Sequence, residues 1–443
     1  MIEIIKSYKS IFKETSLFGG VQVILIGASI IRNMLIAKWL GVEAVGLLGI
    51  LQTTIAFFIT TISFGFPTLL VRSYSEDEQQ QNENEPLILK KGMLLLGIIG
   101  TLLFFCLLPF YGEKIFGDVK YGWILEIGAL LVLFKQITSM NTSEVQGKQK
   151  LNDLAKINIY ASVIGLLFTI PMYYFFDLAG AVWALVIASF VEMVVSLSIN
   201  RFHFKELKIK WKISDYIPYL KKGFSLNYGN ILTLLAQYIV IVYITNFGGL
   251  EKIGFYNAGF AIINNYVALL FVAMSTGYLP RIVKLLNYQE DLQTEITKQL
   301  NFSLLSIGIL AMLCIVFAKL IVTILYSADF DIVIPFLQIA VFGMIFKAFS
   351  WCLGYLIIAK VDSKVLMFTG IIFNVLFVLF LLAGFHFNGL IGVAYAFVGY
   401  NLLHLLSIAL IVRFRYKITL AKKTMLFLIG ILLVNGTLLY FLN

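Results

Sequence analysis

Residues 121–143 read YGWILEIGALLVLFKQITSMNTS, twenty-three residues carrying only two charges, Glu126 and Lys135. As a helix rising about 1.5 Å per residue, such a run crosses the roughly 30 Å hydrocarbon layer of a bilayer. Working outward, the pattern repeats along all 443 residues. Apolar runs fall at approximately 16–37, 45–71, 92–112, 121–143, 154–176, 180–199, 223–247, 253–279, 299–326, 331–358, 365–385, 390–412 and 424–442, thirteen candidate spans. Apolar residues make up 60% of the chain and charged residues 13%, with a mean hydropathy of +0.92. Typical soluble domains hold about 45–50% and 25%, so this composition cannot supply a water-facing surface. The strict alternation of barrel strands is missing, and the spans satisfy their backbone groups internally as helices. The sequence therefore predicts an all-α polytopic membrane protein. A soluble enzyme, a secreted disulfide scaffold and a nucleic-acid reader are excluded. Cys106, Cys314 and Cys352 lie inside apolar runs without paired or metal-ligand spacing and read as small core residues.

The basic excess, net charge +10, follows from topology. Islands on the N-terminal side of the membrane hold 26 Lys and Arg, including Arg72, Arg281 and the dense stretch from Arg201 to Lys222. The opposite islands hold four, Lys38, Lys114, Lys120 and Lys252. By the positive-inside rule the N-terminus is cytoplasmic. Residues 1–15, with Lys6, Lys9 and Lys13 among isoleucines, predict an interfacial lead-in. The first apolar run is too long for a signal-peptide core, and no processing is expected.

Two halves of the chain resemble each other. At an offset of 212, Phe134-Lys135 falls on Phe346-Lys347, Lys148 on Lys360, Gly180 on Gly392 and Arg201-Phe202 on Arg413-Phe414. Nearer the start of each half the offset is 208, where Gly41-Val-Glu-Ala-Val-Gly46 matches Gly249-Leu-Glu-Lys-Ile-Gly254. Coincident Lys, Arg and Gly are uncommon at this composition. The reading is a six-helix lobe over 16–199, a basic linker over 200–222, a second six-helix lobe over 223–412, and a basic loop with a thirteenth helix over 413–443.

Four cations remain inside apolar runs: Arg32, Lys135, Lys319 and Lys347. A charge near mid-bilayer costs roughly 3 kcal/mol or more and normally faces a wet cavity or a partner. Lys135 and Lys347 are repeat mates, and a twofold axis would set them facing each other across the lobe interface. The alternative is snorkelling, or pairing with Glu126, Glu192 or Asp331 within a lobe. Glu192 has His404 as its repeat mate, and the two read either as a proton-sensitive coupling pair or as packing contacts. Segments 7 and 8 are rich in amides and phenols, among them Asn227, Asn230, Tyr238, Asn257, Asn264 and Tyr266, types that bond hydroxyl-rich ligands or bridge helices. Pro67, Pro171, Pro280 and Pro335 are candidate bend points.

Three stretches carry a family resemblance: Leu40-Gly-Val-Glu-Ala-Val-Gly46, Gly277-Tyr-Leu-Pro-Arg281 and Gly354-Tyr-Leu-Ile-Ile-Ala-Lys360, with Lys347 just upstream. Over about 16–412 the chain resembles the Wzx-type lipid-linked oligosaccharide flippases of the multidrug/oligosaccharidyl-lipid/polysaccharide (MOP) exporter superfamily. The resemblance implies a V-shaped pair of six-helix lobes around a central cavity in the bacterial inner membrane. It implies a cargo, an undecaprenyl-diphosphate-linked oligosaccharide such as an O-antigen repeat unit, moved by alternating access among membrane lipids. A polysaccharide polymerase and chain-length machinery are the implied partners.

On that reading Lys135, Lys347, Arg32 and Lys319 hold the diphosphate, Asn257, Asn264 and Tyr266 meet the glycan, Glu192 and His404 are coupling candidates, and Arg72 and Arg281 flank the cytoplasmic entrance. The closest rivals are other exporters of the superfamily, a drug or cation antiporter or a lipid II-type flippase. A membrane glycosyltransferase, polymerase or ligase needs a larger loop than the chain offers. Asp329-Phe-Asp331 and Glu76-Asp77-Glu78 read as solvated loops, and neither metal nor cofactor is expected.

Overall fold

The computed structural model describes residues 20–21, 24–75, 84–200, 216–267, 269–286, 288–419 and 421–442. The interfacial lead-in over 1–15, the acidic cluster Glu76-Asp77-Glu78 and residues 201–215 of the basic island lie outside them. Every regular element among the described residues is helical. In chain order these are α1 (24–40, closing in a π-turn over Ile36–Leu40), α2 (Gly41–Ile62), α3 (Phe66–Ser75), α4 (Glu85–Leu107), α5 (Gly112–Phe116), α6 (Gly122–Gly147) and α7 (Leu151–Asn200). There follow α8 (Ile217–Ala261), which runs into a π-turn over Ile262–Val267, α9 (Leu269–Leu285), α10 (Gln289–Val316), α11 (Ala318–Leu325), α12 (Val333–Ala359), α13 (Ser363–Tyr416) and α14 (Lys422–Leu442).

Among the described residues nine stretches are long and apolar enough to cross a membrane. Four of them, of 39, 50, 48 and 54 residues, exceed what one crossing needs. Each is broken by non-helical backbone, at Gly41, Asp177, Gly249 and Asn388-Gly389 respectively. The four breaks resolve the long stretches into paired runs, while the predicted runs 45–71 and 299–326 are interrupted after Ile62 and Val316. Outward-facing side chains are large and apolar, such as Leu102, Leu167, Phe175, Leu379 and Leu426, which suits lipid as solvent. The molecule is a multi-pass membrane protein.

The duplication is written in the backbone as well as in the letters. Gly41 and Gly249, first residues of the matched hexapeptides, have φ of +80° and +78°. Asp177 and Gly389, 212 apart, share φ near +50° (47° and 53°), as do Gln149 and Val361 (54° and 52°). A Cβ on Gly180 would meet the carbonyl of Met172, and one on Gly392 the carbonyl of Gly384, again equivalent positions. A left-handed residue is disfavoured for most side chains, so its recurrence at fixed spacing marks the same turn built twice.

The chain divides into two compact units, one ending at Tyr238 and the other beginning at Ile239. The division falls inside α8, because the first turns of that helix pack with the N-terminal unit. There Gly65 (φ +70°) and Gly223 press backbone to backbone, and a Cβ on either would strike the other strand of chain, Gly223 O or Phe64 O. Phe66, Leu69, Leu70, Leu89, Met93 and Met140 form a fully buried core beside this contact.

One buried polar network holds the first unit together. Glu144 on α6 accepts from Lys90 of α4 at 2.7 Å, from Lys148 and from Asn200 of α7 at 2.9 Å, while the Tyr74 hydroxyl of α3 lies at 3.4 Å. Lys90 is 1% exposed, so it belongs to the interior and not to the solvated island in which the sequence groups it. A charge this deep persists because an acid from a different helix meets it.

In the second unit α14 packs on α10. A Cβ on Gly308 would meet Ile431, and the buried Asn435 amide donates to the Ile431 carbonyl at 2.9 Å and the Gly308 carbonyl at 3.4 Å. Asp362 caps the start of α13 through Val365 N–H and also accepts from Arg415 and Tyr416 at its far end, at 2.6 and 2.9 Å. The same carboxylate thus closes both limbs of that hairpin.

Candidate functional site

The face of α6 that follows from the opening stretch of sequence decides the site. Lys135, Thr138, Ser139 and Thr142 recur at helical spacing and form one wall of a cavity of about 750 Å³ in the first unit. The opposing walls repeat the device: Arg32 comes from α1, Gln52 and Thr60 from α2, Asn158 and Ser162 from the first limb of α7, Ser189 and Glu192 from the second. Three charged groups therefore converge, Arg32, Lys135 and Glu192, with an excess of one positive charge. Lys135 Nζ lies 2.8 Å from Glu192 Oε2, both groups partly exposed to the cavity. The in-lobe pairing that stood as the alternative reading is thus present for Lys135, on a cavity wall.

A second, smaller cavity of about 440 Å³ adjoins the first and shares Ile59, Thr60 and Ser139 with it. It lies where α2 breaks at Ser63–Gly65 against the first turns of α8. Its polar lining carries no charge: Thr60, Ser63, Thr68, Ser139, Asn227 and Asn230 are among its residues. Asn227 is held by donation to Thr60 O at 3.0 Å, and Asn230 donates to Asn227 Oδ1 at 3.2 Å.

In the second unit Lys347 stands on α12 with no ion pair among the described residues, although it is largely covered. The Ser350 hydroxyl donates to the Lys347 carbonyl at 3.1 Å, and its oxygen lies 3.0 Å from His404 Nδ1. With the hydroxyl proton so used, the oxygen accepts from Nδ1–H. Phe373 and Tyr400 flank the imidazole, with ring centroids at 4.3 and 6.1 Å. Glu192 and His404 are therefore each engaged within their own unit, the first with Lys135 and the second with Ser350.

Two of the stretches that carry the family resemblance meet here. Tyr278 donates to the Cys352 carbonyl at 3.1 Å and lies against Trp351 and Tyr355, with centroids at 5.9 and 5.8 Å. Arg281, expected at an entrance, is tied to Glu295 and Gln299. Arg72 is exposed at the last turn of α3.

The spanning helix α10 ends at Val316, the backbone turns at Phe317, and Lys319 is exposed on the separate short helix α11. Its expected place inside a span is not met: Lys319 is the one charge in the run 299–326, and neither glycine nor proline stands at Phe317 to mark the break. Asn257 is half-buried in α8 and Asn264 exposed in the π-turn, while the side chain of Tyr266 lies outside the described residues. The Cys106 side chain is exposed, whereas Cys314 and Cys352 are buried. Asp329 accepts from Ser327 in an exposed turn, and no cluster of three metal-ligating side chains occurs among the described residues.

Sequence reading did not single out Gln52, Thr60, Ser139, Asn158 or Ser189. The signal was available, since each sits three or four residues from another small or polar residue on its own helix face.

The fold has solved counterparts among transporters of the MOP superfamily. The structure matches an inward-facing multidrug resistance MATE family transporter of that superfamily with a TM-score of 0.75 at 13% identity, covering 89% of this chain and 94% of the other. It matches the lipid II flippase MurJ in an inward closed conformation, also with a TM-score of 0.75, at 16% identity over 96% and 92% of the two chains. A third match is a MOP superfamily transporter from Pyrococcus furiosus, described as having a binding pocket of reverse polarity that suggests a different function. Its TM-score is 0.63 at 16% identity, with 91% and 96% covered. The family model described as polysaccharide biosynthesis protein matches residues 11–286, and the chain belongs to that family. Comparison with curated protein sequences returned no match.

Proposed function

We propose that the chain is a Wzx-type flippase that carries an undecaprenyl-diphosphate-linked oligosaccharide from the cytoplasmic to the periplasmic leaflet of a bacterial inner membrane. Its N-terminus lies in the cytoplasm, and the cycle is alternating access. The observation that carries the reading is the sign and pairing of the charge on the spanning helices. Lys347 lacks an acid among the described residues, and Arg32 and Lys135 outnumber the single Glu192 on their cavity wall. An uncompensated ammonium in a low-dielectric interior is costly unless an anion visits it. A diphosphate supplies that anion, and Lys binds it as a point charge. Membership of a polysaccharide biosynthesis family supports a glycan as the remainder of the cargo, and a polymerase and chain-length machinery would receive it.

A cation antiporter needs free carboxylates in its cavity, whereas Glu192 here is bound to Lys135. The test is flipping of a fluorescent undecaprenyl-diphosphate-linked sugar in proteoliposomes. Lys347→Ala is expected to abolish flipping while the protein remains folded by circular dichroism and gel filtration. Normal flipping in that variant would remove Lys347 from the mechanism.

A further inference from the structure

The two adjoining cavities of the first unit differ in one respect, and the difference describes a ligand. The larger holds Arg32, Lys135 and Glu192; the smaller holds hydroxyls and carboxamides only; Thr60 and Ser139 line both. Along α6, Ser139 is one turn from Lys135, about 6 Å of helix. A molecule whose anionic group meets Arg32 and Lys135, which together exceed Glu192 by one charge, has the uncharged cavity within reach of its next group.

That cavity is arranged for hydrogen bonding it does not itself complete. The hydroxyls of Thr60, Thr68 and Ser139 make no hydrogen bond among the described residues. The Asn230 carboxamide is oriented by its donation to Asn227 Oδ1, which is oriented in turn by Thr60 O, and Asn230 Oδ1 is left as an acceptor. The cavity is rigid on one side, where Gly65, one of its lining residues, presses on Gly223. Its volume of about 440 Å³ is near the lower end of the small-molecule range, about 300–1,000 Å³, and suits a sugar residue instead of a whole oligosaccharide.

We infer that this cavity is the subsite for the first sugar of the lipid-linked cargo, and that it selects an uncharged sugar bearing hydroxyl or acetamido groups. The inference rests on the proposed flippase function. Hydroxyls and amides supply both donors and acceptors to such a ring. A uronate would bring a carboxylate against a lining with no cation.

The test is equilibrium binding to the full-length protein in lipid nanodiscs of three probes: undecaprenyl diphosphate, the same lipid carrying N-acetylglucosamine, and the same lipid carrying glucuronate. The wild-type protein is expected to bind the N-acetylglucosamine lipid about tenfold more tightly than the bare diphosphate, and the glucuronate lipid no more tightly than the bare diphosphate. In Thr68→Val/Asn230→Leu, whose sites line the uncharged cavity alone, the tenfold preference is expected to fall to near unity. Preference retained in that variant, or tighter binding of glucuronate than of N-acetylglucosamine, would overturn the subsite while leaving the flippase reading intact. Failure of the wild-type protein to bind any of the three lipids would overturn both.

Discussion

Lys135 Nζ sits 2.8 Å from the carboxylate of Glu192, and the residue 212 positions after Glu192, beside the repeat mate of Lys135, is His404. The duplicated site thus carries a lysine paired with a carboxylate in one copy and a lysine next to an imidazole in the other. Divergence has left the fold alike and the charge unequal. His404→Glu would restore in the second unit the pair found in the first, and is expected to slow flipping about tenfold or more, the loss equivalent to roughly 1.4 kcal/mol of anion binding. Initial flipping rates in proteoliposomes check it; an unchanged rate would show that the inequality has no functional role.

Glu144 carries a structural burden that its place at the end of a span conceals. Removing it takes the carboxylate from the buried Lys90–Glu144 pair, and breaking a buried pair costs about 3–5 kcal/mol. Glu144→Ala is expected to lower the thermal midpoint sharply and to reduce the yield of monodisperse protein. A midpoint within experimental error of wild type would mean that Lys90 reaches water by another route.

The Gly65–Gly223 contact gives a graded expectation. Gly223→Ala drives a methyl group into the Phe64 carbonyl, and Gly65→Ala adds a left-handed φ to a comparable collision. Overpacking costs about 1–3 kcal/mol, and Gly65 is expected to be the worse of the two. Gly430→Ala, with nothing within 4 Å of the new Cβ, is the control, and differential scanning fluorimetry ranks the three.

The Asp362 clasp makes stability depend on pH in one direction. The Arg415 guanidinium holds the Asp362 carboxyl below the usual carboxylate range, aided by Tyr416 and the Val365 N–H against partial desolvation. A depressed carboxyl stabilises the fold fully above its unfolded value, about 3.9, and loses that contribution as pH falls through its folded value. Asp362→Asn keeps the helix cap and removes the charge. Its thermal midpoint is expected to lie below wild type by a constant margin from pH 7 to pH 5, the margin closing as pH falls below about 3.9 and on through the depressed folded value.

The fold was legible because lipid imposes a coarse rule: apolar runs of a set length, charged islands between them, and a repeat visible in Lys, Gly and Arg. Lys135 and Arg32 were legible as cavity residues because a charge in such a run has few other places to go. Lys319 was not, since the end of α10 at Val316 has no local breaker in the sequence. Lys90 and Glu144 were hidden for the opposite reason: near a span end a charge looks solvated until packing brings α4 to α6. Of the uncharged cavity only Asn227 and Asn230 were legible; its hydroxyls were not, because Ser and Thr in apolar helices usually bond their own backbone, as Thr54 and Thr138 do here, and only tertiary placement separates Ser139 from them.

On the proposed function Lys347 meets a phosphorylated headgroup. The most direct measurement is the affinity of the full-length protein in nanodiscs for undecaprenyl diphosphate, compared between wild type and Lys347→Ala, each shown to be folded. A charge-assisted hydrogen bond is worth about 1.5–3 kcal/mol, so the account expects affinity to fall about ten- to a hundredfold. Equal affinity in the two folded proteins would contradict it.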